Sequence, residues 1–219
     1  MMRSGNRQEK IYLLQQFKER LLNYELWLDK GDELVNAARA LEPQINNFWK
    51  DTENHHGKES NNTKKQKENK ISAYPLLQDI YFMQIGYALE NYFKMIIIQE
   101  SSEALQDQIN IFESKLPTII KDHDLFKLAK KAGFKLNQND EELIARIQNC
   151  SIWQGRYPIP VDSEGLKNIF RTASGGIYFT AYMTLGDLDR VNLLIDRVKS
   201  LCQQILDNKQ QQNKTTSEI

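Results

Sequence analysis

The stretch LLQDIYFMQIGYALENYFKMIII, Leu76 to Ile98, decides the fold. Sixteen of its 23 residues are apolar or aromatic, and at 100° per residue they cover most of the circumference of a helix. Asp79, Glu90 and Lys94 interrupt it, and each charge near a bilayer centre costs about 2.5–3.5 kcal/mol on insertion scales. The stretch therefore predicts the buried central helix of a bundle, and no membrane partner is expected.

A polar seam runs along this central helix. Asp79, Met83, Glu90 and Lys94 fall in one narrow stripe of its surface. Glu90 and Lys94 are spaced i, i+4 in the order that favours an ion pair. Two interpretations stay open: a solvent-facing strip with a surface ion pair, or a charged seam that faces a groove or a second subunit.

The remaining apolar residues also recur at helical spacing. They predict an all-α helical bundle of about five to seven helices, with residues 1–219 in a single domain. The first helix is expected over Glu9–Leu28, followed by a break or bend at Gly31. Two stretches without large apolar side chains predict a mobile polar loop over 51–70 and a flexible tail over 209–219.

Composition limits the function classes. The chain has 29 basic and 29 acidic residues, which argues against a highly basic nucleic-acid coat protein and leaves room for a local basic patch. Cys150 and Cys202 lack metal spacing, so we predict reduced core thiols, a cytoplasmic protein, and neither metal nor cofactor. The sequence does not fit a four-helix bundle that binds metal through carboxylates, because that class needs a Glu-x-x-His motif on each of two helices. The only such motif in this chain, Glu53 to His56, lies in the predicted polar loop. The polar start of the chain predicts no secretory signal.

The segment KDHDLFKLAKKAGF predicts a short amphipathic helix that begins beside His123. Asp124 suits its first turn, because the helix dipole favours an acid there. Asn137 and Asp140 predict a capping box for the helix that follows. A further short helix is expected over Ser163–Phe170.

The turn WQGRYPIP, residues 153–160, ends the helix that carries Arg146. Tyr157 precedes a proline and is pushed toward extended geometry. The turn therefore predicts a rigid mount for Arg156, with Trp153 and Tyr157 as its walls.

Three pieces, GYALENYFK (Gly86–Lys94), HDLFKLAKKAG (His123–Gly133) and WQGRYPIP, together resemble proteins of the HEPN superfamily, small helical-bundle domains of prokaryotes. The resemblance covers about Leu76–Leu206. It implies a bundle of four or more helices, often a homodimer. Many such proteins are metal-independent endoribonucleases in toxin–antitoxin, abortive-infection or CRISPR-linked antiviral defence. Others bind nucleotides or serve as non-catalytic partners.

The catalytic branch of that superfamily uses an arginine followed, after about four to six residues, by a histidine, and two such motifs meet across a dimer. This sequence departs from the pattern, because no arginine precedes a histidine at that spacing. His123 and Arg156 remain as candidate catalytic groups. His123 would act as the general base that takes the proton of a ribose 2′-OH, and Arg156 would stabilise the negative charge that develops on the phosphorane. The candidate substrate-binding or supporting residues are Glu90, Lys94, Asp124, Arg146, Trp153 and Tyr157.

A structural interpretation of the same residues stays open. In it Arg156 pairs with Glu90, and His123 ties its helix start to a carbonyl or to Tyr157, because a buried charge needs a partner. The chain would then be a non-catalytic dimeric interaction module for a protein partner from the same operon. The catalytic interpretation instead predicts an RNA or nucleotide ligand in a prokaryotic stress or defence system.

Overall fold

The computed structural model describes residues 3–59, 77–101, 105, 107, 116–154, 156, 169–171, 177–179, 183–184 and 186–216. Seven α-helices dominate them, which confirms the expected all-α bundle of five to seven helices. The helices are α1 (Arg3–Leu22), α2 (Tyr24–Arg39), α3 (Glu42–Glu59), α4 (Gln78–Glu100), α5 (Leu125–Lys131), α6 (Gln138–Asn149) and α7 (Asp187–Thr216). Helix α6 continues directly into a π-helix at Cys150–Gln154. None of the described helices is long and apolar enough to cross a membrane.

One small hairpin departs from the expected helices. Strands β1 (Ile169–Arg171) and β2 (Ile177–Phe179) pair antiparallel, with Phe170 opposite Tyr178. The helix expected over Ser163–Phe170 is therefore wrong at its end, and residues 163–168 lie outside the described part of the chain. Aromatic and β-branched residues on both sides of a Ser-Gly-Gly sequence favour strands, which the short apolar runs did not distinguish from helix.

The chain divides into two compact units. Unit 1 contains Met1–Glu33, Tyr87–Glu141 and Leu193–Ile219, and unit 2 contains Leu34–Gly86 and Glu142–Asn192. Helices α2, α4, α6 and α7 contribute residues to both units. The single-domain assignment stays a prediction.

The core of unit 1 is built around the second half of α4. Its side chains there are buried almost all round the helix, as the apolar residues that cover most of its circumference predict. Burying each large apolar side chain stabilises the fold by about 1.5–3 kcal/mol. The fully buried members include Leu89, Tyr92, Phe93 and Ile96 of α4, Leu128 of α5 and Val198 of α7.

Gly31 does not break a helix in unit 1. Helix α1 ends at Leu22, and the Asn23 side-chain oxygen accepts a hydrogen bond from the Glu25 backbone N–H at 3.0 Å, which caps α2. Gly31 lies inside α2, where an added Cβ would come within 2.5 Å of the Tyr92 ring. The glycine therefore makes room for a buried aromatic ring instead of ending the helix, which corrects the expected break.

The start of α6 is fixed as the sequence predicted. Asn137 Oδ1 accepts from the Asp140 N–H, and the Asn137 N–H donates to Asp140 Oδ2, both at 2.9 Å. This reciprocal pair is the predicted capping box. Arg197 of α7 donates to both Asp140 oxygens at 2.8 Å, and its guanidinium lies 5.1 Å from the centre of the Phe134 ring.

Unit 2 has its own core, and a close contact between α4 and the π-helix lies within it. Gly86 of α4 packs against Ser151, whose Oγ would lie 1.8 Å from a Cβ at position 86. Ser151 Oγ in turn donates to the Ile147 carbonyl at 2.9 Å. The core residues include Val35, Ile45, Tyr81, Phe82, Ile85, Ile144, Ile147, Met183 and Val191.

Both predicted polar segments are helical where they are described. Residues 51–59 form the last part of α3, while residues 60–70 lie outside the described residues. Residues 209–216 continue α7. Propagating a helix that is already nucleated fixes one residue for each hydrogen bond gained, so polar residues extend helices that apolar contacts start.

The cysteines behave as predicted. Cys150 and Cys202 are both free thiols with less than a tenth of their surface exposed. Burial, followed by the charge of Asp79, raises the pKa of Cys150 far above its usual value. Burial, followed by the charge of Asp32, raises the pKa of Cys202 to about 12.

Candidate functional site

Glu90 is the centre of a small ionic cluster in unit 1. Its Oε1 lies 2.6 Å from Lys94 Nζ and 2.9 Å from His123 Nδ1. The Glu90 side chain is 15% exposed and that of Lys94 is 3% exposed, whereas that of His123 is 76% exposed. The cluster therefore has a buried cationic end and a solvent-facing imidazole, joined by one carboxylate oxygen.

Lys94 is buried, so the pair it forms with Glu90 is not the surface ion pair that one interpretation expected. Its ammonium lies 5.9 Å from the centre of the Trp27 ring, within the range of a cation–π interaction. The Trp27 indole N–H donates to the Leu21 carbonyl at 3.1 Å, which fixes the ring. A buried ammonium is stable when it is paired, and Glu90 supplies that pairing within one turn of α4.

The backbone around His123 is held by two flanking aspartates. Asp122 Oδ1 accepts from the backbone N–H groups of His123 and Asp124, at 3.0 and 3.1 Å. Asp124 Oδ1 caps α5 by accepting from the N–H groups of Phe126 and Lys127, at 3.0 and 3.1 Å. The sequence predicts Asp124 in the first turn of the helix, but Asp124 is the N-cap residue that directly precedes α5. Asp122 was not among the predicted site residues, although Asp and Asn side chains often accept backbone N–H groups in such turns.

The contact with Glu90 sets the tautomer of His123. An ionised carboxylate accepts hydrogen bonds and donates none, so Nδ1 carries the proton in this bond and Nε2 is the acceptor when the ring is neutral. A carboxylate that fixes a histidine in this way leaves Nε2 available as a general base. The structure thus brings three of the candidate residues, Glu90, Lys94 and His123, together. The contact between His123 and Glu90 was not predicted, because the structural interpretation had His123 bound to a carbonyl or to Tyr157.

Arg146 belongs to a different cluster, in unit 2. Its guanidinium donates to Asp187 Oδ1 and Glu142 Oε1, both at 2.8 Å, and its side chain is 3% exposed. Asp187 is fully buried and also accepts from Arg190 at 2.9 Å and from the Thr184 N–H at 2.7 Å. Arg146 therefore has a structural role at the start of α7, and its supporting role toward a substrate stays a prediction. Its Nε has no hydrogen-bond partner among the described residues.

The hydrogen bond from the Arg146 guanidinium lowers the pKa of Glu142 below its usual value. Partial burial opposes this shift, and the charges of Arg146 and Arg190 add to it. Two arginines and two carboxylates neutralise one another in this cluster. Asp187 carried no sequence signal beyond its position as an acid at a helix start.

Arg156 donates through Nε and through a terminal nitrogen to the Ser151 carbonyl, the former at 3.1 Å. The arginine thereby satisfies a carbonyl of the π-helix five residues upstream, and the expectation that it ties the turn to the rest of the bundle stays a prediction. Arg156 belongs to unit 2 and Glu90 to unit 1, and the approach of Arg156 to Glu90 stays a prediction. Tyr157 and the side chain of Trp153 lie outside the described part of the structure.

No group of three or more histidine, cysteine, aspartate or glutamate side chains in the described residues could hold a metal ion. The side chains of His55 and His56 are outside that part of the chain. No family model, curated protein or solved structure matches the chain. The resemblance to the HEPN superfamily rests on the three sequence pieces alone.

Proposed function

We propose that the chain is a HEPN-like helical-bundle protein of a prokaryotic stress or antiviral defence system, and that it cleaves RNA without a metal ion. The observation that supports this proposal is the 2.9 Å contact between Glu90 and His123, with 76% of the His123 side chain exposed. A fixed and accessible imidazole is the arrangement that general acid–base catalysis requires.

In the proposed reaction, His123 Nε2 takes the proton of a ribose 2′-OH. The 2′-oxygen forms a bond to phosphorus, and the bond from phosphorus to the 5′-oxygen breaks. His123 then returns the proton to the 5′-oxygen, which leaves a 2′,3′-cyclic phosphate and a 5′-hydroxyl. Glu90 is a positioning residue that holds Nδ1–H and stabilises the imidazolium formed in between.

Lys94 supports this arrangement from the buried side. Its ammonium keeps Glu90 paired when His123 is neutral, so the carboxylate does not depend on the imidazole for a counter-charge. The role of Arg156 against phosphorane charge stays a prediction, and its hydrogen bonds to Ser151 give it a structural role as well.

The test is incubation of labelled RNAs of several sequences with the purified protein in the presence of a chelator. We expect cleavage to 2′,3′-cyclic phosphate ends, and a loss of about 10²–10⁴-fold in rate for His123→Ala. Glu90→Gln should lower the rate at a temperature where circular dichroism shows that the variant is folded, and it should also lower the melting temperature, because Lys94 loses its partner. Intact RNA with the wild-type protein across all the RNA types would contradict the proposal, and equal rates in wild type and His123→Ala would remove His123 from it.

A second candidate is a non-catalytic homodimeric interaction module, and the first half of α1 favours it. Ile11, Tyr12 and Leu13 are 57%, 61% and 59% exposed, which is unusual for three consecutive large side chains. A second copy of this chain is the occupant that the family resemblance implies. Light scattering should show a dimer that Ile11→Ser with Leu13→Ser converts to monomer, and a wild-type monomer at high concentration would contradict this candidate.

A further inference from the structure

The sequence around His123 is rich in lysine, in a chain whose total charge is zero. Residues 121–135 contain five lysines and two aspartates. The side chains of Lys121, Lys127, Lys130 and Lys135 are exposed, and that of Lys131 is 35% exposed. We call these five residues the lysine face. A local concentration of positive charge on a neutral protein points to an anionic ligand.

Three of these lysines share one side of α5. At 100° per residue, Lys127, Lys130 and Lys131 fall within about 100° of the helix circumference. The buried residues Leu125, Leu128 and Ala129 occupy the opposite side. The amphipathic pattern that packs α5 into unit 1 therefore also turns its lysines to solvent.

The two acids in this segment are already engaged by the backbone. Asp122 Oδ1 and Asp124 Oδ1 accept the N–H groups that form the turn and cap the helix. Partial burial would raise the pKa of Asp122, but the Asp124 N–H and the charges of Lys127 and Lys131 outweigh it and lower that pKa. Because both carboxylates serve the turn, they leave the lysine charges only partly compensated.

The ion pairs that the acids do make are weak. Asp124 Oδ2 lies 3.5 Å from Lys127, and Asp122 Oδ2 lies 3.5 Å from Lys131. Both distances exceed the usual 2.7–3.2 Å of an N–H···O hydrogen bond, and exposed pairs of this kind contribute about 0–1 kcal/mol. A phosphate oxygen can therefore replace either carboxylate at little cost.

These two weak pairs also place the lysines beside the candidate catalytic group. Asp122 and Asp124 are the immediate neighbours of His123 in the chain, so one lysine ammonium contacts the residue on each side of it. A phosphate held by either amine would therefore lie at the turn that carries the exposed imidazole.

We propose that the lysine face binds the sugar–phosphate backbone of single-stranded RNA and presents a nucleotide to His123. This inference rests on the proposed function and names how its substrate is held. An anionic membrane is a poorer ligand for the same charges, because membrane-binding helices insert an apolar face and the apolar face of α5 is buried.

The experiment measures fluorescence anisotropy of a labelled single-stranded RNA of about 15 nucleotides, over a range of salt concentrations and without metal. The main variant is Lys127→Gln with Lys130→Gln. It leaves Lys131 in place, because Lys131 also donates to the Ile119 carbonyl at 3.3 Å and could affect folding. The matched control is Lys10→Gln with Lys50→Gln, which removes two exposed lysines of α1 and α3.

We expect the main variant to weaken RNA binding at least about fivefold, and to reduce the slope of log K against log salt by about 0.7 per lysine removed. The control variant should match wild type in RNA affinity and in the salt slope. Where cleavage occurs, KM should rise while kcat changes little, because the lysines bind phosphate and do not transfer the proton.

The outcomes separate this inference from the proposed function. Lysine-dependent RNA binding without cleavage would support the lysine face and remove the catalytic proposal. Equal affinity and salt slope in wild type and main variant would overturn the lysine face, even if wild type cleaves RNA. Binding to phosphatidylserine vesicles in place of RNA, or no RNA binding by wild type, would overturn it as well.

Discussion

Substituting Gly86 by alanine tests how α4 and the π-helix fit together in unit 2. The new Cβ would lie 1.8 Å from Ser151 Oγ, and 3.1 Å from both Ser151 Cβ and Ile147 Cγ2. Ser151 can rotate its hydroxyl away, but it then loses its 2.9 Å hydrogen bond to the Ile147 carbonyl. Overpacking of this kind lowers the free energy of unfolding by about 1–3 kcal/mol. Replacing glycine by alanine within a helix opposes this loss, because alanine favours the helix by up to about 1 kcal/mol.

We therefore expect Gly86→Ala to lower the free energy of unfolding by about 1–2 kcal/mol, with a fall in Tm of about 2–4 °C per kcal/mol. Urea and thermal unfolding followed by circular dichroism measure both. The Ser151→Ala background is the control, because it removes the Oγ that the new Cβ meets. Gly86→Ala should cost about 1 kcal/mol less there, a coupling of the size that touching residues show. Equal costs in the two backgrounds, or no cost in either, would refute the close contact.

Three further predictions concern the ion pairs of Arg146 and the buried thiols. Asp187→Asn should destabilise the protein by about 3–5 kcal/mol in urea unfolding, because it leaves the buried Arg146 charge with only the partly exposed Glu142 as a partner. A loss below 1 kcal/mol would contradict this. The pKa of Glu142 is lowered on folding, so its charge stabilises the fold above the usual value of 4.5 and this contribution is lost as pH falls through the lower folded pKa. Glu142→Gln should accordingly be less stable than wild type at pH 7, and its stability should approach that of wild type as the pH falls below about 4.5. Urea unfolding at each pH measures the difference, and a difference that does not change with pH would refute the argument. Cys150 and Cys202 should react with a thiol reagent at the rate of unfolding, and fast reaction in the folded protein would show that one of them is accessible.

Features that depend on residues close together in the chain could be predicted from the sequence, and features that depend on distant residues could not. The all-α class, the central helix and the Asn137 capping box follow from periodicity and from residues three or four apart. Of the break or bend expected at Gly31, the break is wrong, because α2 runs through this residue. The glycine is required by a residue far along the chain, since the Tyr92 ring packs where its side chain would be. A glycine alone does not show whether it ends a helix or admits a neighbour.

The site residues divide in the same way. The pairing of Glu90 with Lys94 is local and is predicted by the i, i+4 spacing, whereas the contact of His123 with Glu90, 33 residues away along the chain, was not predicted. The Trp27 ring over Lys94 and the Asp187 partner of Arg146 join distant segments. The spacing of residues in the sequence does not predict such contacts, because they depend on how the helices pack.

The two ionic clusters differ in what they can do chemically. In unit 2, Asp187 is fully buried and its charge is matched by arginines held at 2.8 and 2.9 Å. Changing the protonation of that carboxylate would leave buried charge uncompensated, so this cluster suits a fixed structural role. In unit 1, the charge of Glu90 is already matched by buried Lys94, and the third member is an exposed imidazole. A proton can enter or leave His123 at the surface while the buried pair remains intact, and this is the physical reason for placing the proposed chemistry there.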